Sequence, residues 1–395
     1  EFLEALENVS LCTRDKKEDV LKFINRFPSH TPFIQNDISH FKIPFMESKP
    51  LKAKAYLRQG SVCYCADFRA YDTPMLMNLE LTTRCPLHCP QCYCELLGGK
   101  DMEFDTALYW LKEASKNNVK TINLSGGETI IYPDLEKLIK VSSDFGMETN
   151  IALSGFGVDK EKLERLIESG VSEICISLNG STKEINKKTR DGYELAINTL
   201  QILKNMNYKK TYINWVMHSN NASDFKEMIK LAEKYNVCGL VVMVFKPDAK
   251  NQRKSVPSVV QIYEIAKCIK EYKGIVNIEV EECFSQLKAV LGKRFFTNLN
   301  QGISKGCGAG RDGISVSVDG KLTPCRHLEI KEDFDTIRQY WENSNVLKQI
   351  RQIEDNKKEP CNSCTYKNYC LPCVAVNWKM NKEIYMGEDG CAIGK

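Results

Sequence analysis

Six short apolar runs along residues 74–250, each separated from the next by an amphipathic stretch, constrain the fold of this 395-residue sequence more than any other feature. The runs at 75–81, 121–124, 148–153, 173–178, 212–217 and 240–245 read as buried strands. Those at 104–119, 134–145, 160–169, 193–207 and 224–235 read as helices, with apolar residues at three- and four-residue intervals. Strands alternating with helices imply a parallel sheet, because parallel neighbours need a crossover and a helix is the usual one. Breakers fall where this reading requires them, at Gly126-Gly127, Gly146, Gly170, Gly180 and Gly192. Six units fall short of a full eightfold barrel, so the expected fold is α/β, a partial (β/α)6 TIM-like barrel or an open sheet.

The flanks read differently. Residues 1–73 combine a helical pattern at 17–27 with extended segments interrupted by Pro28, Pro32, Pro44 and Pro50, an α+β segment. After a helical stretch at 258–272, residues 283–395 are cysteine-rich and poor in long periodic runs, the kind of segment that metal commonly holds together. Three parts are therefore expected: 1–73, 74–282 and 283–395. Residues 1–10 are polar and acidic rather than basic and apolar, and no stretch approaches the roughly 18 apolar residues of a membrane span. The expectation is a cytoplasmic protein without a membrane partner, although the chain opens at Glu1 rather than Met, which leaves room for a removed leading segment. A net charge of +4 gives no electrostatic reason for a nucleic-acid partner.

Eighteen cysteines against five histidines point to metal or redox chemistry, since disulfides belong mainly to oxidising compartments. Four of them lie within 85–94 and seven within 307–391. Cys85, Cys89 and Cys92 form C-x3-C-x2-C directly after the first strand, where barrel folds place reactive groups. Three thiolates on one loop can wrap a four-iron cluster and leave one iron open to a small molecule. A structural zinc site is the alternative, with Cys94 or His88 as fourth ligand.

The combination of that loop with Leu124-Ser125-Gly126-Gly127-Glu128-Thr129 at the end of the second strand resembles the radical S-adenosylmethionine (SAM) enzymes. The resemblance covers roughly residues 74–250. It implies a [4Fe-4S] cluster on Cys85, Cys89 and Cys92, whose open iron is chelated by the amino and carboxylate groups of SAM. Gly126, Gly127 and Glu128 would then meet the SAM amino group, which suits glycines that admit close backbone approach and a carboxylate that faces an ammonium. Ile176-Ser177-Leu178-Asn179-Gly180-Ser181 followed by Arg190 resembles the family's fourth strand and loop, which implies Ser177 and Arg190 as contacts to the cofactor's sugar and carboxylate. Ser154, ending the third strand, is a further ribose candidate. The sequence departs from the family at Gln91, a position that is usually aromatic and packs on adenine, with Tyr93 as a replacement.

Cys307 and Cys325 enclose Gly320, and Cys361-x2-Cys364-x5-Cys370-x2-Cys373 and Cys391 follow. This resembles the SPASM extension of radical SAM enzymes, which holds auxiliary iron–sulfur clusters, though the family usually has three residues where Leu371-Pro372 gives two. By that resemblance Cys361, Cys364, Cys370 and Cys391 would hold one [4Fe-4S] cluster and Cys307, Cys325 and Cys373 the other. Cys283 would close the second, or leave it an open iron. Zinc knots are the alternative for these C-x2-C pairs.

The implied activity is reductive cleavage of SAM to a 5′-deoxyadenosyl radical that takes a hydrogen from a ribosomally made precursor peptide. The product would be a cross-link, a Cys sulfur-to-carbon thioether or a carbon–carbon bond. Partners implied are a precursor peptide with its leader, which 1–73 would recognise, and a low-potential electron donor such as ferredoxin or flavodoxin. Arg326 stands where sulfatase maturases of this family carry an acidic base, which weighs against that activity. Glu329, His327 and Tyr385 are neighbouring candidates for acid or base. Rivals of other classes are a zinc-stabilised binding protein and a radical enzyme acting on a small molecule or RNA.

Overall fold

The structure is a computed structural model that describes residues 54–58, 61–65, 70–92, 94, 99–247, 250–292, 297–298, 302–303, 306–367, 370–385 and 391. The helical pattern at 17–27 and Tyr93 lie outside the described residues. The chain divides into two compact units, residues 1–69 with 293–304, and residues 70–292 with 305–395. In the first unit β1 (Lys54–Arg58) pairs antiparallel with β2 (Ser61–Cys65), and β10 (Thr297–Asn298) with β11 (Gly302–Ile303).

The second unit is built on the six expected strands. β3 (Leu76–Thr82), β4 (Thr121–Gly126), β5 (Glu148–Leu153), β6 (Glu173–Ser177), β7 (Thr211–Met217) and β8 (Gly239–Val244) lie side by side, parallel and in chain order. The expected helices form between them, at Phe104–Lys116, Leu135–Asp144, Lys160–Glu168, Tyr193–Asn205 and Phe225–Lys234. Some ends are written in the sequence. Asp159 caps its helix by accepting from the Lys162 backbone N–H at 2.7 Å, and Ser258 with Gln261 forms a capping box for Val259–Glu271.

The sheet extends beyond six strands to nine. β9 (Asn277–Val280) adds parallel to β8, while β12 (Gly313–Val316) adds parallel to β3 and carries β13 (Leu322–Thr323) antiparallel at its far side. The cysteine-rich stretch thus supplies two strands to the barrel sheet itself. Strands of two to four residues are too short for an alternation pattern to register, so they were not legible beforehand.

Strand register separates two faces. Met77, Leu79, Ile122, Leu124, Ile151, Ile174, Ile176, Ile213 and Leu240 are essentially buried, as are the helical residues Leu111, Leu135, Leu138, Leu163, Leu200 and Met228. One residue out of phase, Asn78, Asn123 and Asn150 stand in register on adjacent strands, with Asn123 Nδ2 donating to Asn78 Oδ1 at 3.0 Å and Asn150 Nδ2 to Asn123 Oδ1 at 3.3 Å. The period-two alternation therefore gives the strands one apolar and one polar face. Because the strands are parallel, all their C-terminal ends open on one edge, where loops from many positions in the sequence meet. No helix among the described residues is long and apolar enough to cross a membrane.

Candidate active site

At that edge the cysteine loop and the glycine loop are joined backbone to backbone. Gly127 N–H donates to Thr82 O at 2.7 Å and Glu128 N–H to Arg84 O at 2.9 Å. A Cβ added at Gly126 would lie 2.1 Å from Thr82 O, and one at Gly127 would lie 2.2 Å from Arg84 O, so only glycine permits the approach. Arg84 is fixed in turn by Asp101, with Nε to Oδ1 at 2.9 Å and Nη2 to Oδ2 at 2.6 Å, and Thr82 Oγ1 donates to the same Oδ1 at 2.6 Å. This two-pronged pair anchors the residue immediately before Cys85.

Cys85, Cys89 and Cys92 lie within electrostatic range of one another, and Glu128 within range of Cys85. Burial pushes the Cys85 thiol up to about 11 and raises Cys89 too, against the opposing pull of Arg190. Thiols so desolvated ionise readily only when a metal centre supplies compensating positive charge. Cys94 is turned toward Gly126, whose carbonyl lies 3.4 Å from its Sγ. Among the described residues no three His, Cys, Asp or Glu side chains converge closely enough to hold a single metal ion.

The Glu128 side chain is buried, and one of its oxygens accepts from Ser154 N–H at 2.9 Å, which ties the end of β5 to the glycine loop. Burial raises the Glu128 carboxyl, while the Ser154 hydrogen bonds and Arg190 act the other way. Ser154 Oγ accepts from Phe156 N–H at 3.2 Å. Ser177 is the half-buried last residue of β6. Arg190, close to both Cys89 and Glu128, has a buried Nε–H without a partner. A buried guanidinium N–H left unsatisfied beside the Cys89 thiol fits an anionic group of a ligand. Gln91 is bound to His218 Nε2 from the end of β7, and that ring rests 4.0 Å from the Phe245 ring. His218 is fully enclosed, and burial lowers it to about 4.

A second group of thiols gathers from four distant segments. A Cβ at Gly306 would meet Leu371 Cβ at 2.7 Å and Ser285 Oγ at 3.0 Å, which brings the chain beside Cys283, Cys307 and Cys373 together. Cys307 and Cys325 also pack against the buried cluster that contains Cys373, Leu328 and Val374. Cys283 lies in electrostatic range of Cys307 and Cys373, and Cys307 of Cys325. Burial pushes all three of Cys283, Cys307 and Cys325 upward. Cys283 therefore stands with Cys307, Cys325 and Cys373. Elsewhere, Cys361, Cys364, Cys370 and Cys391 are each partly buried, with Tyr366 N–H donating to Cys364 Sγ at 3.4 Å and Cys370 N–H to Tyr366 O at 3.0 Å.

Two charged residues beside the four-cysteine group were not singled out from the sequence. Lys246, two positions beyond β8, reaches Glu281 at 3.1 and 3.2 Å, and Val244 N–H donates to the same carboxylate at 3.1 Å. A lysine closing a strongly apolar strand run was the available signal. Of the acid–base candidates, His327 is driven well down by burial and by the nearby Lys246, Arg326 and Lys379 charges. Glu329 is half-exposed with Lys379 at 3.8 Å, and Tyr385 N–H donates to Glu383 Oε1 at 3.1 Å.

The profile of the radical SAM superfamily matches residues 79–232. A PqqA peptide cyclase of Ruegeria pomeroyi is 30% identical over 315 residues, covering 75% of this chain and 80% of the relative. An AdoMet-dependent heme synthase of Methanosarcina barkeri is 24% identical over 332 residues, covering 77% and 92%. Among solved structures, Streptococcus suis SuiB bound to precursor peptide SuiA superposes with a TM-score of 0.66 at 17% identity, over 82% of this chain and 77% of that one. The chain belongs to the radical SAM superfamily. It is accordingly an enzyme that uses SAM and a radical-SAM iron–sulfur cluster, on an α/β partial-barrel fold.

Proposed function

We propose that this enzyme modifies a ribosomally made precursor peptide, installing a cross-link that is most simply a Cys sulfur-to-carbon thioether. The observation that carries the site is the junction of the Cys85–Cys92 loop with Gly126-Gly127-Glu128 under the unpartnered Arg190 Nε–H. The peptide class is supported by the relative named PqqA peptide cyclase and by the fold shared with SuiB.

Cys85, Cys89 and Cys92 are assigned to the radical cluster. Glu128 and the Gly126-Gly127 backbone receive the SAM ammonium, Arg190 its carboxylate, and Ser154 and Ser177 its ribose. When bound, the cluster and SAM supply a 5′-deoxyadenosyl radical that removes one hydrogen from the substrate. The chain's own work is to hold the reacting groups in line and to keep water out. Closing a thioether removes a second hydrogen as a thiol proton plus one electron, and that electron needs an acceptor. Cys283, Cys307, Cys325 and Cys373 are assigned to one auxiliary cluster that can take it, and Cys361, Cys364, Cys370 and Cys391 to another. A ferredoxin or flavodoxin is the proposed donor for the radical cluster, residues 1–73 the leader-binding part, and the cytoplasm the location.

The test is mass spectrometry of a cysteine-bearing peptide encoded beside the gene, coexpressed with the enzyme. A peptide lighter by two hydrogens, whose thiol no longer alkylates, supports a thioether. Loss of two hydrogens with the thiol still free indicates carbon–carbon bonding, and an unmodified peptide overturns the substrate class.

A further inference from the structure

We propose that the backbone N–H of Asp191 is a built-in hydrogen-bond donor to the Cys89 sulfur of the radical cluster and raises that cluster's reduction potential, with Asn186 as the positioning residue that holds it there. The inference rests on the proposed assignment of Cys85, Cys89 and Cys92 to that cluster.

The loop that follows β6 is seated on the cysteine loop at three points. Asp191 N–H donates to Cys89 Sγ at 3.5 Å, within reach of the larger sulfur atom. The Asp191 carboxylate accepts from His88 N–H at 3.4 Å and from Gly192 N–H at 2.7 Å. A Cβ added at Gly192 would lie 2.9 Å from Leu87 Cδ1, so the two loops also meet by close approach. Cys89 is buried, which strengthens a hydrogen bond to its sulfur relative to one made in water.

The donor is held by side chains that are costly to bury. Asn179 and Asn186 are each 1% exposed. Asn186 Oδ1 accepts from Asn179 N–H at 2.8 Å, and Asn186 Nδ2 donates to Arg190 O at 2.9 Å. The two partners fix which way the amide points, because one supplies a proton and the other can only accept one. Arg190 N–H returns to Asn186 O at 2.8 Å, and Asn179 Oδ1 accepts from Val216 N–H at 3.0 Å, which ties the loop to β7. Buried amides must be matched at their polar atoms, and here the matching fixes the residue immediately before Asp191. The direction of the effect follows from the bond itself. Reduction adds one negative charge to the cluster and its sulfurs, so a donated N–H favours the reduced form and raises the potential. The peptide N–H carries no net charge and does not titrate, so this direction holds wherever the chain is folded.

The experiment uses the full chain, reconstituted without oxygen. Reduction is followed by EPR during redox titration, with iron and sulfide measured on each sample. The radical cluster is identified as the signal abolished when Cys85, Cys89 and Cys92 are replaced together by alanine. Asp191→Ala removes the carboxylate and keeps the N–H, whereas Asp191→Pro removes both. The potential in Asp191→Pro is expected to lie below that in Asp191→Ala by about a three- to tenfold change in the reduction equilibrium, about 28–59 mV for one electron. Equal potentials in the two at full iron content overturn the inference. Should Asp191→Pro fail to hold its cluster, Asn186→Leu, uncharged and of similar volume, decides alone. Its radical-cluster potential is expected to fall below the parent value while the other signals keep theirs, and an unchanged potential there overturns the inference. The triple cysteine variant must also lose about four irons relative to the parent, as one [4Fe-4S] cluster requires. Unchanged iron in it overturns the cluster assignment itself, a result distinct from failure of the tuning.

Discussion

Gly127→Ala tests the junction that builds the SAM site. A methyl group there would start 2.2 Å from Arg84 O, about 1 Å inside an ordinary carbon–oxygen contact, and its neighbour is backbone that no rotamer change can move. The two loops must separate by about that distance, which stretches Gly127 N–Thr82 O from 2.7 Å and Glu128 N–Arg84 O from 2.9 Å. Losing two backbone hydrogen bonds costs about 1–3 kcal/mol. Separation also moves Glu128 relative to Cys85, and a displacement of about 1 Å at reacting groups lowers rates by about 100-fold. The expected result is a roughly 100-fold loss of 5′-deoxyadenosine formation with only a modest fall in melting temperature. Gly146→Ala, where the backbone φ is +74° but nothing lies within 4 Å of the new methyl, is the control. It carries conformational strain of about 1–2 kcal/mol and keeps its activity. A Gly127→Ala enzyme that cleaves SAM at the wild-type rate would refute the packing argument.

Three further outcomes are expected. Arg190→Met removes the guanidinium assigned to the SAM carboxylate, whose buried Nε–H has no protein partner; its SAM Kd by equilibrium dialysis rises about 10- to 100-fold, matching about 1.5–3 kcal/mol for a charge-assisted bond, with melting temperature unchanged. His218, lowered to about 4 by burial from an unfolded value of about 6.5, takes up its proton in the unfolded chain first, so stability is complete above pH about 6.5 and declines as pH falls toward 4. Denaturant titrations should show up to about 3 kcal/mol more loss over that window in wild type than in His218→Asn. Ile314→Ala, at a fully buried position of β12, costs about 2–5 kcal/mol and lowers the single melting transition of the barrel, because β12 is hydrogen-bonded to β3; a separate early transition of the cysteine-rich part would contradict this.

The sequence carried most of the barrel because its strands and helices are long enough to show their periods. All six apolar runs became adjacent parallel strands, and the helices between them end within a few residues of expectation. What it did not carry depends on contacts between distant residues. The four residues of β12 have no periodicity of their own and become a strand only because Gly313–Val316 meets the exposed edge of β3. The same holds at the sites. Spacing along the chain marked Cys85, Cys89 and Cys92, since they share one loop, but the place of Cys283 depends on Gly306 closing against Leu371 and Ser285, which no local pattern announces. Gln91 stood out as a departure from an aromatic position, yet its partner His218 lies 127 residues away. Lys246 and Glu281 are ordinary charged residues in the sequence, and only their burial against each other sets them apart.

The central claim is that this site cleaves SAM to modify a peptide, and 5′-deoxyadenosine release measures it most directly. Enzyme reconstituted without oxygen and supplied with reductant should release it in proportion to modified product, faster with the peptide encoded beside the gene and not at all in Cys89→Ala. Release that is indifferent to that peptide, or that persists in Cys89→Ala, would contradict the account.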